Sequence, residues 1–169
     1  MNLPKRKPNR LPGFDYSTPG AYFITICTQN RKPILGKIVG GGNLDAPKVH
    51  LSKAGTIARR YILSANQILG LSIDKFVIMP NHIHLIVMVM PNNPCGTSRS
   101  PSPTNAQIPR FVSSFKRLCH QELGNTIFQR SYHDHVIRND ADYLKIWQYI
   151  DDNPTKWEAD CFYCKEESP

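Results

Sequence analysis

No apolar stretch in this 169-residue chain approaches the ~20 residues needed to cross a bilayer. The longest, IHLIVMVM (83–90), is the size of a single strand. Cysteine is scarce and unpatterned. Cys27, Cys95 and Cys119 stand alone, and only Cys161 and Cys164 form a CxxC. That excludes a disulfide-stapled secreted domain. One CxxC is also only half a zinc site, with no second CxxC or CxxH near it, so two free thiols are the expectation. The basic start, MNLPKRKPNRLPG, is not followed by an apolar core, and a signal peptide is not expected. A soluble, intracellular protein follows from these absences. Acidic residues are the other shortage: 13 Asp and Glu stand against 21 Lys and Arg, a formal charge of +8. The excess favours a polyanionic partner, of which nucleic acid is the commonest, although a basic surface with no such partner has the same composition.

No internal repeat and no second domain is visible, and the length suits one domain with a real core. Residues 1–20 are rich in Pro, Lys and Arg and read as a basic flexible arm. In it Lys5, Arg6, Lys7 and Arg10 can lie on phosphates or remain solvated. AYFITICT (21–28) is β-branched and aromatic and predicts a first strand. ILGKIVGGGNLDAPKVHL (34–51) predicts a small hairpin around a Gly/Asn/Asp/Pro turn. Ser52 is a good N-cap for a helix whose apolar face is Ile57, Tyr61, Ile62, Ala65 and Ile68. SIDKFVIM (72–79) and IHLIVMVM (83–90) predict an antiparallel pair joined at Pro80-Asn81. Residues 91–106, dense in Pro, Ser and Asn, predict a flexible loop. A second helix over 107–122, a strand over 131–138 and a third helix over 140–152 follow, the last stopped by Asn153-Pro154. The order is βαββαβ with a helix appended. This α+β pattern predicts a ferredoxin-like antiparallel sheet, two helices on one face, and a free face for a site. One domain spans 21–157, with 158–169 as a tail.

FVIMPNHIHLIVMV (76–89) sets two histidines in an apolar run. Strand side chains alternate, so His82 and His84 share a face while Ile83 and Leu85 feed the core. Two imidazoles at i and i+2 make a half-site for a divalent ion. Two partly exposed histidines on the outer side of a hairpin satisfy the same pattern. Tyr149 and Asn153, four apart, share a helix face if the last turn stays helical. A phenol can act as a nucleophile, although Tyr149 with Tyr143, Ile146 and Ile150 also reads as a plain core stripe.

Four ordered blocks carry a resemblance to known proteins: LPGFDYSTPGAYFITICTQNRKPILGKI (11–38), MPNHIHLIV (79–87), SYHDHVIRNDADY (131–143) and QYIDDNPTKW (148–157). Together they resemble the REP-associated tyrosine transposases and their small insertion-sequence relatives, the single-tyrosine HUH transposases. The resemblance implies a metal-dependent endonuclease and strand transferase acting on single-stranded or hairpin DNA through a 5′-phosphotyrosine. Residue by residue, His82 and His84 match the metal-binding histidines, Tyr149 matches the nucleophile, and Asn153 occupies the place of a polar third ligand. Magnesium or manganese is the implied cofactor. DNA is the implied partner, a monomer or homodimer the implied assembly, and a bacterial cytoplasm, at the nucleoid, the implied setting. Given the resemblance, Arg59, Arg60, Lys116, Arg117, Arg130 and Arg138 are expected to track a DNA backbone, with the 5–10 arm holding a hairpin stem. His133 and His135 alternate on their strand and carry no assigned role. Two other readings compete. A non-catalytic nucleic-acid-binding module on the same fold would use exposed sheet aromatics such as Tyr22 and Phe23. A zinc hydrolase would use His82, His84 and the cysteine pair.

Overall fold

The computed structural model describes residues 18–40, 46–91 and 107–163. The expected arm with Lys5, Arg6, Lys7 and Arg10, nearly all of the 91–106 loop, and Cys95 and Cys164 lie outside the described residues. Strands β1 (Gly20–Cys27), β4 (Leu71–Ile78), β5 (His82–Val89) and β6 (His133–Ile137) form one sheet in the order β4-β5-β1-β6. Every pairing in it is antiparallel. The short strands β2 (Gly36–Val39) and β3 (Lys48–Leu51) pair separately, as the hairpin expected ahead of the first helix. Helices α1 (Lys53–Ser64) and α2 (Gln107–Leu123) follow β3 and β5, and α3 (Asp140–Asp152) follows β6. This is the ferredoxin-like split arrangement.

The alternation of β1 divides the molecule into two layers. Tyr22, Ile24 and Ile26 join Ile83, Leu85 and Val87 of β5 in the main core. Over them lie Ile57, Ala58 and Ile62 of α1 and Ile108, Phe111, Val112 and Phe115 of α2. The opposite face is smaller. Ile86 and Ile137 of the sheet meet Ile146 and Ile150 of α3. Each such isoleucine contributes about 1.5–3 kcal/mol over an exposed one. That is enough to hold a 13-residue helix that would be marginal alone. β5 is therefore buried on both faces, which is why its sequence reads as one continuous apolar run.

Local signals agree with this packing. Ser52 caps α1 by accepting the Gly55 N–H at 3.2 Å, and its own hydroxyl donates to the Ile34 carbonyl at 2.6 Å. Asn139 caps α3 through the Asp142 N–H at 2.9 Å. Beyond α3, Trp157–Ala159 forms a 3-10 turn, and Phe162 lies against His82 at the start of β5. No helix among the described residues is long and apolar enough to cross a membrane.

Candidate active site at the histidine pair

His82 and His84 open β5 on the face covered by α3, and both are buried, with 0% and 1% of their surface exposed. The exposed-histidine alternative is thereby removed. Their rings lie 4.4 Å apart between centroids. A neighbour fixes each ring. The Nδ1–H of His82 donates to Oδ1 of Asn81 at 2.8 Å, which leaves the Nε2 lone pair facing the site. Nδ1 of His84 meets the Thr25 hydroxyl at 2.8 Å, from the position directly across the β1–β5 ladder. Asn81 is itself held, donating to the carbonyls of Phe162 at 2.7 Å and Arg31 at 3.2 Å. Arg31 sits at φ 55°, a left-handed conformation unusual for a residue with a side chain.

The tyrosine helix arrives over this pair. Asn153 keeps helical dihedrals at the end of α3, so Tyr149 and Asn153 do share a face. The Tyr149 hydroxyl lies 3.2 Å from Nε2 of His84. Its ring is 38% exposed, whereas its stripe-mates Ile146 and Ile150 are buried. Tyr149 is thus set apart from the core stripe. Phe23 stacks on His84 from β1, with centroids 5.1 Å apart.

Asp160 joins the site from the segment read as tail. It accepts the Tyr149 hydroxyl at 3.1 Å and the Asn153 side-chain amide at 2.9 Å, both on Oδ2, and the Phe162 N–H at 2.7 Å on Oδ1. One carboxylate oxygen and a ring nitrogen from each histidine all lie within 4.8 Å of one another, a spacing one metal ion can bridge. The Phe162 ring covers His82 at 4.6 Å and His84 at 5.9 Å. Sequence reasoning missed Asp160, because an acid eleven residues past the tyrosine in a polar stretch carries no periodic signal.

Burial and charge set the protonation states. Burial lowers the pKa of His82 to about 4, only partly opposed by Asp160 and the nearby Asn153 side chain. Burial, then the neighbouring His82, holds His84 well below its ordinary value. Both rings are neutral at pH 7, the form that binds metals. Burial, followed by the Asp160 charge and hydrogen bond, raises the Tyr149 phenol. Two buried atoms of the cluster have no hydrogen-bond partner: Nε2 of His82 and Oδ1 of Asn153. A buried acceptor left bare costs about 1–3 kcal/mol. Two ring nitrogens and a carboxylate oxygen gathered within 4.8 Å, beside a bare carboxamide oxygen, are donors of the kind a divalent ion takes.

The expected DNA contacts are dispersed. Arg59, Arg117, Arg130 and Arg138 are exposed. Arg60 is exposed and paired with Glu122. Lys116 departs from the expectation. It is 8% exposed, and its ammonium donates to the carbonyls of Gln129, Arg130 and Ser131 at 2.8, 3.3 and 2.9 Å, which satisfies that loop from within. His135 pairs with Asp142, and His133 is exposed. Tyr22 is buried, donating to the Thr18 carbonyl, and Phe23 packs against His84 and Tyr149, so neither is a bare stacking platform of the kind a binding module uses.

The sheet order and the helix laid across the histidine pair can be compared with solved structures. The fold is similar to that in the solved structure of a REP-associated tyrosine transposase bound to a REP hairpin. That structure aligns with a TM-score of 0.61 and 19% identity over 93% of this chain and 74% of the other. A second solved structure, from Deinococcus radiodurans, aligns at a TM-score of 0.46 and 16% identity over 85% of this chain and 97% of its own, too low to carry weight. The chain belongs to the family of an uncharacterised protein of Haemophilus influenzae, 30% identical over 175 residues that cover 94% of this chain and 93% of that one. No protein-family model matches the chain.

Proposed function

We propose that this protein is a metal-dependent DNA endonuclease and strand transferase that acts on single-stranded or hairpin DNA through Tyr149. One observation carries the reading. The Tyr149 hydroxyl stands 3.2 Å from His84, in a buried cluster whose other donor atoms lack partners. The fold shared with a transposase bound to a REP hairpin adds to it.

His82, His84 and Asn153 would hold the ion, Mg²⁺ or Mn²⁺. Asp160 is left out of that set because its oxygens already receive the phenol, the Asn153 amide and the Phe162 N–H. When bound, the ion supplies Lewis-acid stabilisation of charge on the phosphoryl oxygens. Asn81 and Thr25 orient the two imidazoles. Asp160 takes the Asn153 N–H and so turns the amide oxygen towards the cluster. The Tyr149 oxygen attacks the scissile phosphorus while its proton passes to the Asp160 carboxylate 3.1 Å away. The phosphorus–O3′ bond breaks and the leaving oxygen gains a proton from water. The products are a 5′-phosphotyrosine and a free 3′-hydroxyl. One phosphodiester replaces another, so attack by a 3′-hydroxyl rejoins strands without ATP. Phe162 lies over both imidazoles, and a phosphate reaches them only with that ring displaced.

The test uses end-labelled hairpin DNA with a single-stranded flank, incubated with the protein and Mn²⁺ or Mg²⁺. A denaturation-resistant protein–DNA adduct is expected, absent with EDTA and absent in Tyr149→Phe. That substitution removes one oxygen and keeps the ring. An adduct that survives it overturns the nucleophile, and no adduct with either metal overturns the reading.

A further inference from the structure

On the side of the sheet covered by α1 and α2, α2 and the segment leading into β6 form an open cavity of about 440 Å³. Ser113, Lys116, Arg117, His120, Arg130 and Tyr132 line it, and among the described residues no carboxylate does. Lys116 forms the floor. Its charge is buried but aimed at the carbonyls of Gln129, Arg130 and Ser131, so it lends potential rather than contact. Arg117 and Arg130 stand exposed at the rim, and neither has an ion pair among the described residues. By contrast Arg60, Lys75 and Lys156 are each paired with an acid. Three cations gathered without a counter-charge repel one another, and an anion between the two arginines relieves that repulsion. Tyr132 adds a half-buried aromatic ring to the wall. Cations beside an aromatic ring match a nucleotide: phosphate on one, base on the other.

Backbone hydrogen bonds tie part of the cavity's lining to the end of β1, beside the candidate active site. Two of the lining residues, Arg130 and Tyr132, belong to a segment that is pinned to the end of β1. Gln129 N–H donates to the Cys27 carbonyl at 2.9 Å, and Gln29 N–H donates to the Ile127 carbonyl at 2.7 Å. Cys27 faces His82 in the ladder, and its thiol feels both Lys116 and Asp160. Tyr132 immediately precedes His133, which pairs with Thr25, the residue that holds His84. Since β6 is the outer strand of the sheet, a nucleic-acid strand can round that edge from one place to the other.

We propose that this cavity is a second contact for the DNA strand, in which Arg117 and Arg130 each take an internucleotide phosphate and Tyr132 stacks an unpaired base. It rests on the reading of the protein as acting on DNA and adds where the strand flanking the scissile phosphate lies. Binding sets the register of the strand presented to Tyr149.

The experiment measures binding of a fluorescent hairpin with a single-stranded flank by anisotropy. It runs in EDTA, in the Tyr149→Phe background, over a series of salt concentrations. Arg117→Ala with Arg130→Ala is expected to lower the slope of log affinity against log salt by about 1.4, about 0.7 per phosphate lost on a single strand. Tyr132→Leu is expected to weaken binding about 5- to 100-fold with the slope unchanged. Neither variant should affect a blunt duplex as strongly. Circular dichroism and a thermal melt report that each variant is folded, and Ser113→Ala at the same wall serves as a second, milder probe. An unchanged slope together with unchanged affinity overturns the proposal, and so does an equal loss on blunt duplex. The two readings fail separately. A wild-type adduct with salt slopes unmoved in the arginine variant removes the cavity and leaves Tyr149, whereas moved slopes without any adduct do the reverse.

Discussion

Each histidine of the pair is a neutral group stored where water cannot reach it, and that has a cost that depends on pH. In the unfolded chain an imidazole takes a proton near pH 6.5. In the folded chain His82 resists until about pH 4. Between those values the unfolded state binds more protons than the folded one, so stability is full above pH 6.5 and falls as the pH drops towards 4. The thermal midpoint, followed from pH 7 to 4.5, should fall less steeply in His82→Gln than in the wild type. A parallel decline in both would remove His82 from the effect. At pH 7 added Mn²⁺ should raise the midpoint of the wild type and leave that of His82→Gln unmoved. Asp160 gives a second residue-scale prediction. After burial, its negative charge is the main influence that keeps the Tyr149 phenol protonated, and its oxygen is the nearest acceptor for that proton. Asp160→Asn removes both effects. Adduct formation at pH 7 should slow by about 10²- to 10⁴-fold, the usual range for losing a general base, and should recover in part as the pH rises. Mn²⁺ affinity, measured by calorimetry, should change only a few-fold. A large loss of affinity would instead make Asp160 a ligand.

At the scale of elements, the site depends on a contact far from its chemistry. Gly55 lies in the first turn of α1 against the backbone of Leu35, and a Cβ there would stand 2.0 Å from the Leu35 oxygen. Leu35 in turn donates its N–H to the carbonyl of Pro80, in the turn that presents His82. Gly55→Ala improves helix propensity by about 1 kcal/mol in isolation. Here it should lower the thermal midpoint and weaken Mn²⁺ binding together, because the clash is with backbone that cannot swing away. A raised midpoint would show that α1 and the hairpin turn are not coupled. Much of this layer is legible in the sequence. Alternation along 83–90 separates Ile83 and Leu85 from His82 and His84, and Ser52 and Asn153-Pro154 mark helix ends that hold to within a residue or two. What could not be read depends on distant chain. The burial of the histidines comes from α3 and from Asp160 and Phe162, nearly 80 residues on, in a stretch with no periodicity. Lys116 sits among polar residues of its helix and reads as exposed. It turns inwards only because three carbonyls of residues 129–131 are waiting there.

For the molecule as a whole, the question is whose tyrosine serves which histidines. The implied assembly, a monomer or a homodimer, is compatible with a helix that works in its own domain or in a partner's. Only Arg138 and Asn139 separate β6 from α3, so the helix cannot travel far without melting. Ile146 and Ile150 are buried against Ile86 and Ile137 of the same chain, and Tyr143 donates to Asp74 of β4. Lys75 pairs with Asp151 and lies 3.4 Å over the Trp147 ring, which ties the exposed flank of the helix to the same strand. Moving α3 to a neighbour would expose those isoleucines and break each of these contacts before any equivalent formed. One chain therefore brings His82, His84, Tyr149 and Asn153 together by itself. Two inactive proteins, Tyr149→Phe and His84→Gln, should then fail to rescue each other: mixed in equal amounts with hairpin DNA and Mn²⁺, they should give no adduct above either alone. Rescue to about a quarter or more of wild-type yield would mean that helices are exchanged between chains, and that the short β6–α3 connection is not the restraint its length implies.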